Sequence, residues 1–412
     1  MSLPTPSAAE TTILAALTRL PTEDCPLAHA HGRVLRRALV ADRPFPPFDR
    51  VTMDGYAINT SDLTAPPPES TPDGVRTLQV VAIQAAGMLA KRISTPGTCI
   101  EIATGATLPH GTDAIIPYEL VTRADDVISF PADLACAPGQ NIHRAGSDFA
   151  QGAEIVPAGT RFDGPAIGAA ASVGAAHVSV SLRPSVAIIA TGDELVEVDS
   201  PTVAAHQIRK SNDYALRAAL LRHGLAGKIE RFHFRDHRPD IETGLRRILA
   251  EFDLVLLTGG VSKGKYDYVP AVLAQLHVSE LLRGVAQRPG KPLWFGLTPR
   301  RSPVFALPGN PVSALTCLHR YVLPALDLLT GATPAPAITV ALDRDVDFPA
   351  PLAYFLPVTV HTADDARLCA TPHPFNTSGD LGGLVGTTGF IELPADQTHF
   401  PAGTPARYRP WF

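Results

Sequence analysis

Val186-Ala187-Ile188-Ile189-Ala190-Thr191-Gly192-Asp193-Glu194 and Asp253-Leu254-Val255-Leu256-Leu257-Thr258-Gly259-Gly260 read alike: a short apolar run, then a glycine turn. An apolar run bounded by turn residues fits a strand buried on both faces, as in a parallel sheet. Residues 228–234 and 304–307 read as further strands. Helical patterns at 213–223, 239–250, 268–276 and 311–329 alternate with them. Asn212 is expected to cap the first of these helices, and Gly224 stands just past its end. Asn310 and Pro311 supply an N-cap and an N1 proline for the last. Strand–helix alternation predicts a three-layer α/β domain over residues 183–330, its sheet mostly parallel.

The flanking segments differ. Residues 8–19 carry Ile13, Leu14 and Leu17 at helical spacing, with Leu20 just beyond. Residues 42–48 hold Pro44, Pro46 and Pro47 and must be extended. Short alternating strands at 78–83, 99–103 and 114–118, broken by Gly, Pro and Asp turns, predict a small β-rich domain over 51–148. Residues 65–72 are expected to form a loop in it, and residues 164–176, rich in Ala and Gly, a tightly packed helix. Strands at 337–342, 353–360, 367–371 and 390–393 predict a C-terminal β-barrel or sandwich over 331–412. The remainder, 1–50 with 149–182, forms an N-terminal linker and helical domain. The chain is thus α/β and multidomain, as its 412 residues require, since one core rarely grows past roughly 300 residues.

Composition narrows the function. Hydrophobic residues are 45% and charged residues 18%, a globular balance. A net charge of −5 argues against a general nucleic-acid binder. The five cysteines are scattered, with no CxxC pair, and read as reduced thiols of a cytoplasmic protein. No signal-peptide pattern opens the sequence, and no run of about 18 apolar residues predicts a membrane span.

Three loops follow strands of the α/β domain: Thr191-Gly192-Asp193-Glu194, Thr258-Gly259-Gly260-Val261-Ser262-Lys263-Gly264 and Pro308-Gly309-Asn310-Pro311. Ligands of open parallel sheets bind beyond the carboxyl ends of the strands. Each loop alone is a tight strand–helix connection. Three on one edge read better as an anion nest for a phosphorylated small molecule. None matches a Walker or Rossmann fingerprint, which disfavours ATPase and dehydrogenase. Arg288-Pro289-Gly290-Lys291-Pro292 is either a solvated turn or a pair of anion ligands on a stiff backbone. Glu194 has no evident structural task, whereas Asp267 reads also as a helix cap. Either suits Mg²⁺, which takes one or two carboxylates plus phosphate oxygens. No HExxH, GxSxG or Cys–His pattern is present.

Seven segments in order make the chain recognisable: Pro47-Phe48-Asp49 through Met53-Asp54-Gly55-Tyr56-Ala57, Thr104-Gly105-Ala106, Thr191 to Leu195, Ser211-Asn212, Thr258 to Ser262, Arg288 to Pro292, and Leu307 to Pro311. Together they resemble the molybdopterin molybdenumtransferase (MoeA) family, from about residue 8 to the C-terminus. The resemblance implies a molybdopterin-binding (MogA-like) α/β domain with a β-rich insertion and a C-terminal barrel-like domain, in an elongated homodimer. It implies a reaction of adenylylated molybdopterin with molybdate and a divalent cation, giving molybdenum cofactor and AMP, and transient contact with the pterin adenylyltransferase. It assigns active-site roles to Asp54, Thr104, Glu194, Asp236, Asp267 and Lys291, and substrate contacts to Asp148, Gly259, Gly260, Ser262, Arg288, Gly309, Asn310 and Ser378. Asp267 and Glu194 become cation ligands. In the family, the cleft lies between the insertion of one protomer and the α/β unit of the other. Three departures stand out. His143, with Arg144 one place later, occupies a position that is often Arg; Val51-Thr52 replace a common Ser-Ala; and Gly284 stands where some members carry Lys, with Arg283 beside it. The rival readings are the adenylyltransferase itself, a receptor-clustering scaffold and a cofactor sensor without turnover.

Overall fold

The computed structural model describes residues 3–64, 74–260, 268–373 and 377–411. The expected loop at 65–72 and the candidate residues Ser262 and Asp267 lie outside the described residues. The chain divides into two units. One comprises Met1–Arg37, Ala158–Ile167 and His177–Phe412; the other comprises Ala38–Pro157 and Gly168–Ala176.

The second unit is built on a six-stranded sheet. Its strands lie in the order Ala114–Pro117, Gly55–Ile58, Thr98–Ile102, Val75–Gln84, Val127–Pro131, Thr122–Ala124. Only the central pair, Val75–Gln84 with Thr98–Ile102, is parallel. Tyr56, Ile58, Leu78, Cys99, Ile116 and Phe130 form one core, and Val51, Ala57, Ile102 and Ile115 another, so the sheet is apolar on both faces. Gly55 allows the closest backbone approach, because a Cβ there would collide with the Ile116 carbonyl. The strand expected to run on to residue 118 ends at Pro117, and Tyr118–Leu120 form a 3₁₀ turn.

In the first unit, the six-stranded α/β sheet runs Ile229–Phe234, Val186–Thr191, Leu254–Thr258, Pro303–Leu307, Trp294–Leu297, Ser279–Arg283. The first four strands are parallel and the last two antiparallel. The two antiparallel strands were not expected. Ser279–Arg283 buries only Leu282 among its five residues, so it carries no apolar run to read. Val186–Thr191, Leu254–Thr258 and Pro303–Leu307 are buried throughout, as double-sided cover requires. Helices Asn212–His223, Pro6–Ala16 and the 311–330 segment pack one face; Arg238–Glu251 and Val269–Gln275 pack the other.

The N-terminal helix spans Pro6–Ala16 rather than 8–19. Thr5 caps it, its Oγ1 accepting from the Ala8 N–H at 3.2 Å, and Leu17 is already extended. The Gly164–Ser172 helix is packed on one face only, since Ala166 and Ala170 are buried while Gly164, Pro165 and Gly168 are exposed. The expected single helix 311–329 contains a π turn at Leu318–Val322, between Pro311–Cys317 and Leu323–Thr330. By length and composition alone this 20-residue stretch would suit a bilayer, against the expectation from sequence. It is 72% buried in the fold and reads as a core helix. At its π turn sits Arg320, 2% exposed, with Nη1 2.8 Å from Glu10 Oε2 and Nε 3.0 Å from Glu392 Oε2.

The C-terminal sheet closes into a barrel: Ala353–Thr362, Leu368–Pro372, Ile338–Leu342, Pro405–Pro410 and Gly389–Leu393 pair in a ring, the last returning to the first. Closure removes the open edges of a sheet this small. Gln287–Arg288 adds to it as a parallel outer strand beside Ala353–Tyr354.

His319, on the π turn, lies against Trp411 with ring centroids 5.0 Å apart. Burial, and then the nearby His223, push its imidazole from 6.5 down to about 4. A histidine held neutral in this way contributes stability that is complete above its unfolded value and is lost as pH falls from about 6.5 towards 4. The urea midpoint is expected to drop across that window, and to drop less in His319→Gln. Identical acid limbs in the two proteins would contradict this.

Candidate functional site

Three adjacent parallel strands deliver the three glycine loops to one carboxyl edge of the α/β sheet. Gly259 and Gly260 have φ of +91° and +67°, and added Cβ atoms would lie 2.9 Å from the Thr191 carbonyl and 2.9 Å from Thr191 Oγ1. Only glycine lets these two loops touch in this conformation. Asn212 ties the second and third loops together. Its Nδ2 donates to Thr258 Oγ1 at 2.8 Å and to the Gly309 carbonyl at 2.7 Å. This corrects the expected cap. Asn212 is the first helical residue, the N-cap position is Ser211, and neither side chain caps the helix. With both amide hydrogens spent, Asn212 Oδ1 is buried without a partner among the described residues, and so is Thr191 Oγ1. Buried unpaired polar atoms are costly, and at a sheet's carboxyl edge they mark a place for a polar ligand or ordered water.

Asn310 does occupy the N-cap position, but its side chain does not cap either. Its Nδ2 donates to Ser378 Oγ at 2.7 Å, while the Val312 N–H donates to the Ser378 carbonyl at 3.1 Å. The sheet edge and the C-terminal barrel domain therefore meet at Asn310 and Ser378. Glu194 is exposed and folds back over Gly192, where a Cβ would strike its carboxylate. Asp236 joins the same corner, its N–H 3.3 Å from Asp193 Oδ1. Among the described residues no group of three His, Cys, Asp or Glu side chains is placed to hold a metal. The exposed carboxylates of this corner fit only the Mg²⁺ mode that borrows phosphate oxygens.

Arg288 and Lys291 are exposed. The Arg288 backbone is stitched to the barrel, and its guanidinium lies 5.9 Å from the Phe348 ring. No hydrogen bond or ion pair among the described residues joins either cation to the glycine loops. Beneath their turn, Gly290 packs so closely on Cys317 that a Cβ would lie 2.6 Å from Sγ. Gly284, the departure from the basic lining, has φ +79° with Leu3 against it, which explains glycine there. The neighbouring Arg283 faces Glu280 at 3.8 Å.

In the other unit, pairing of Gly55 with Ile102 brings Asp54 beside Thr104. The Thr104 N–H donates to Asp54 Oδ1 at 2.7 Å. That bond first, and the Thr104 hydroxyl second, hold this exposed carboxyl below the usual aspartate range. Asp148 is engaged by His143, Nε2 to Oδ1 at 2.8 Å, and His143 Nδ1 lies 3.3 Å from Arg50. Arg144 binds Asp49 at 2.6 Å. Burial opposes ionisation of Asp49, but the Ala145 N–H and the Arg144 hydrogen bond and charge outweigh it and lower its pKa. His143 and Arg144 are thus each engaged by a carboxylate of the same unit.

Comparison with known proteins agrees with this architecture. Three family models match in order: MoeA N-terminal region (domain I and II) over residues 5–174, probable molybdopterin binding domain over 187–328, and MoeA C-terminal region (domain IV) over 339–411. A Synechocystis sp. protein named molybdopterin molybdenumtransferase is 37% identical over 93% of both chains. A Synechococcus elongatus protein of the same name is 32% identical over 98% of both. The crystal structure of the molybdopterin biosynthesis moeA protein from Pyrococcus horikoshii OT3 superposes with a TM-score of 0.83 at 27% identity, covering 99% of this chain and 100% of that one. The fold and these relatives therefore define a multidomain transferase of molybdenum cofactor biosynthesis. The chain belongs to the molybdopterin molybdenumtransferase (MoeA) family.

Proposed function

We propose that the chain inserts molybdenum from molybdate into adenylylated molybdopterin, releasing AMP and forming molybdenum cofactor, with the pterin substrate held at the carboxyl edge of the α/β sheet. The structural observation that supports this site is the Asn212 crosslink, which joins the Thr258 and Gly309 loops beside the Thr191 loop and leaves Thr191 Oγ1 and Asn212 Oδ1 without partners among the described residues. Gly259, Gly260 and Gly309 supply close backbone approach for the substrate, with Ser262 in the same loop. Asn310 and Ser378 close one side of the site, and Arg288 and Lys291 supply positive charge towards the phosphate. Asp54, Thr104, Glu194, Asp236 and Asp267 complete the active residues, and Asp148 positions the segment that carries His143. A divalent cation, Mg²⁺ in this reading, would be held by Glu194 and Asp267 and would offset phosphate charge. Both reactants are anions, so orientation in one site and charge compensation are the protein's main contributions.

The same reading makes the enzyme a cytoplasmic homodimer, in transient contact with the adenylyltransferase that supplies its substrate. Five free cysteines suit a reducing compartment. Purified protein with adenylylated molybdopterin, Mg²⁺ and molybdate is expected to release AMP only when molybdate is present, and light scattering on that preparation to give about twice the 43.6 kDa chain mass. Tight pterin binding without AMP release would make the chain a cofactor-binding protein instead. A monomeric mass would remove the dimer.

A further inference from the structure

A cavity of about 620 Å³ opens in the first unit, away from the glycine loops. It is lined by the C-terminal parts of the Asn212–His223 helix and of the 311–330 helix, the N-terminal helix and the last barrel strand. Asn212 and Asn310 sit at the sheet's carboxyl edge. Helices of 12 and 20 residues span roughly 18 and 30 Å, so the cavity lies towards the opposite edge. Its volume falls within the range of small-molecule sites, roughly 300–1,000 Å³.

Charge in its lining is lopsided. Five arginines, among them Arg19, Arg407 and Arg409, face two carboxylates, Glu10 and Asp327, and there is no lysine. Both carboxylates are already committed, Glu10 to Arg320 at 2.8 Å and Asp327 to His223 at 3.0 Å. Arg409 is 14% exposed, its Nη2 reaches Glu10 only at 3.5 Å, and its Nε and Nη2 find no hydrogen bond among the described residues. Desolvation first, and then Arg320 and Arg407, lower its pKa to about 10, the mark of a buried guanidinium with like charge nearby. The remaining wall is apolar and aromatic, with Leu14, Leu323 and Trp411.

We propose that this cavity is a second small-molecule site, which takes a phosphate monoester carried on a flat ring. Arginine suits a phosphate monoester, because its planar fork donates in bidentate fashion and a dianion can accept from more than one such fork. The ring lies against Trp411 and the leucines, where apolar area drives its burial. The proposal stands apart from the transferase reading, because none of these residues belongs to the glycine-loop site.

Titration calorimetry with AMP and with inorganic phosphate tests it, on the wild-type chain and on the Arg19→Glu/Arg407→Glu double variant. Both side chains are exposed, so the variant is expected to keep its melting temperature and its molybdate-dependent AMP release. It is expected to lose one equivalent of AMP binding per chain, or to weaken it at least about tenfold. Unchanged AMP stoichiometry and affinity in the variant would overturn the site. Inorganic phosphate binding as tightly as AMP at the lost site would overturn the role of the ring.

Discussion

Asp54→Ala is expected to leave the chain folded and to lower molybdate-dependent AMP release by at least about a hundredfold, the scale of losing a positioned acid or base group. Asp54 and Thr104 are both exposed, so little packing is lost with the carboxylate. What goes is the acceptor for the Thr104 N–H at 2.7 Å and a charge held ionised by that bond. Asp54→Asn separates the two, since its amide oxygen still accepts from Thr104 but carries no charge. Activity restored by Asn would assign Asp54 to positioning the Thr104 turn. Activity absent in both would assign the charge itself. Glu194→Ala, on the glycine-loop side, is expected to behave like Asp54→Ala. Full turnover in both alanine variants, measured by AMP release with circular dichroism to confirm folding, would remove both residues from the site.

The largest expected effect on stability is at Arg320. Replacing it with Met is expected to cost about 3–5 kcal/mol, the usual result of breaking a buried ion pair by removing one member. Glu10 and Glu392 are 21% and 19% exposed, so water reaches them and draws the figure towards its lower end. The loss is not one of volume, because Met fills much of the same space. It comes from two carboxylates deprived of their shared cation, with Arg409, 3.5 Å from Glu10, left beside them. Urea unfolding measures it, and a change below about 1 kcal/mol, the level of an exposed pair, would show the triad to be solvated.

Much of the fold was legible because its central strands are buried on both faces and therefore read as unbroken apolar runs. Where burial is one-sided or slight, the signal fades. Ser279–Arg283 went unread for that reason, Trp294–Leu297 because a fully buried run of four broken by Gly296 is too short to stand out, and Pro405–Pro410, bounded by prolines, gave no apolar run despite its alternating burial. The N-terminal helix was placed two residues late because Thr5 and Pro6, a cap and an N1 proline, were passed over in favour of apolar spacing. In the site, the glycine loops were legible from their position after strands. The duty of Asn212 was not. An asparagine at a helix start looks the same whether it caps or crosslinks, and its partners Thr258 and Gly309 lie 46 and 97 residues away. The anchoring of Arg288 on the barrel was equally hidden, since it rests on pairing with Tyr354.

The closed barrel has a bearing on how such a chain can be cut or rebuilt. Its sequence suggests a detachable tail after Gly331. The wiring says otherwise: Arg288 borrows a strand neighbour from the barrel, Asn310 a hydroxyl, and Arg320 a carboxylate. A chain shortened there would bare the π turn and leave the Arg320 guanidinium with Glu10 as its one remaining carboxylate of the pair. The α/β unit therefore relies on the barrel for these contacts. The two are expected to melt as one piece.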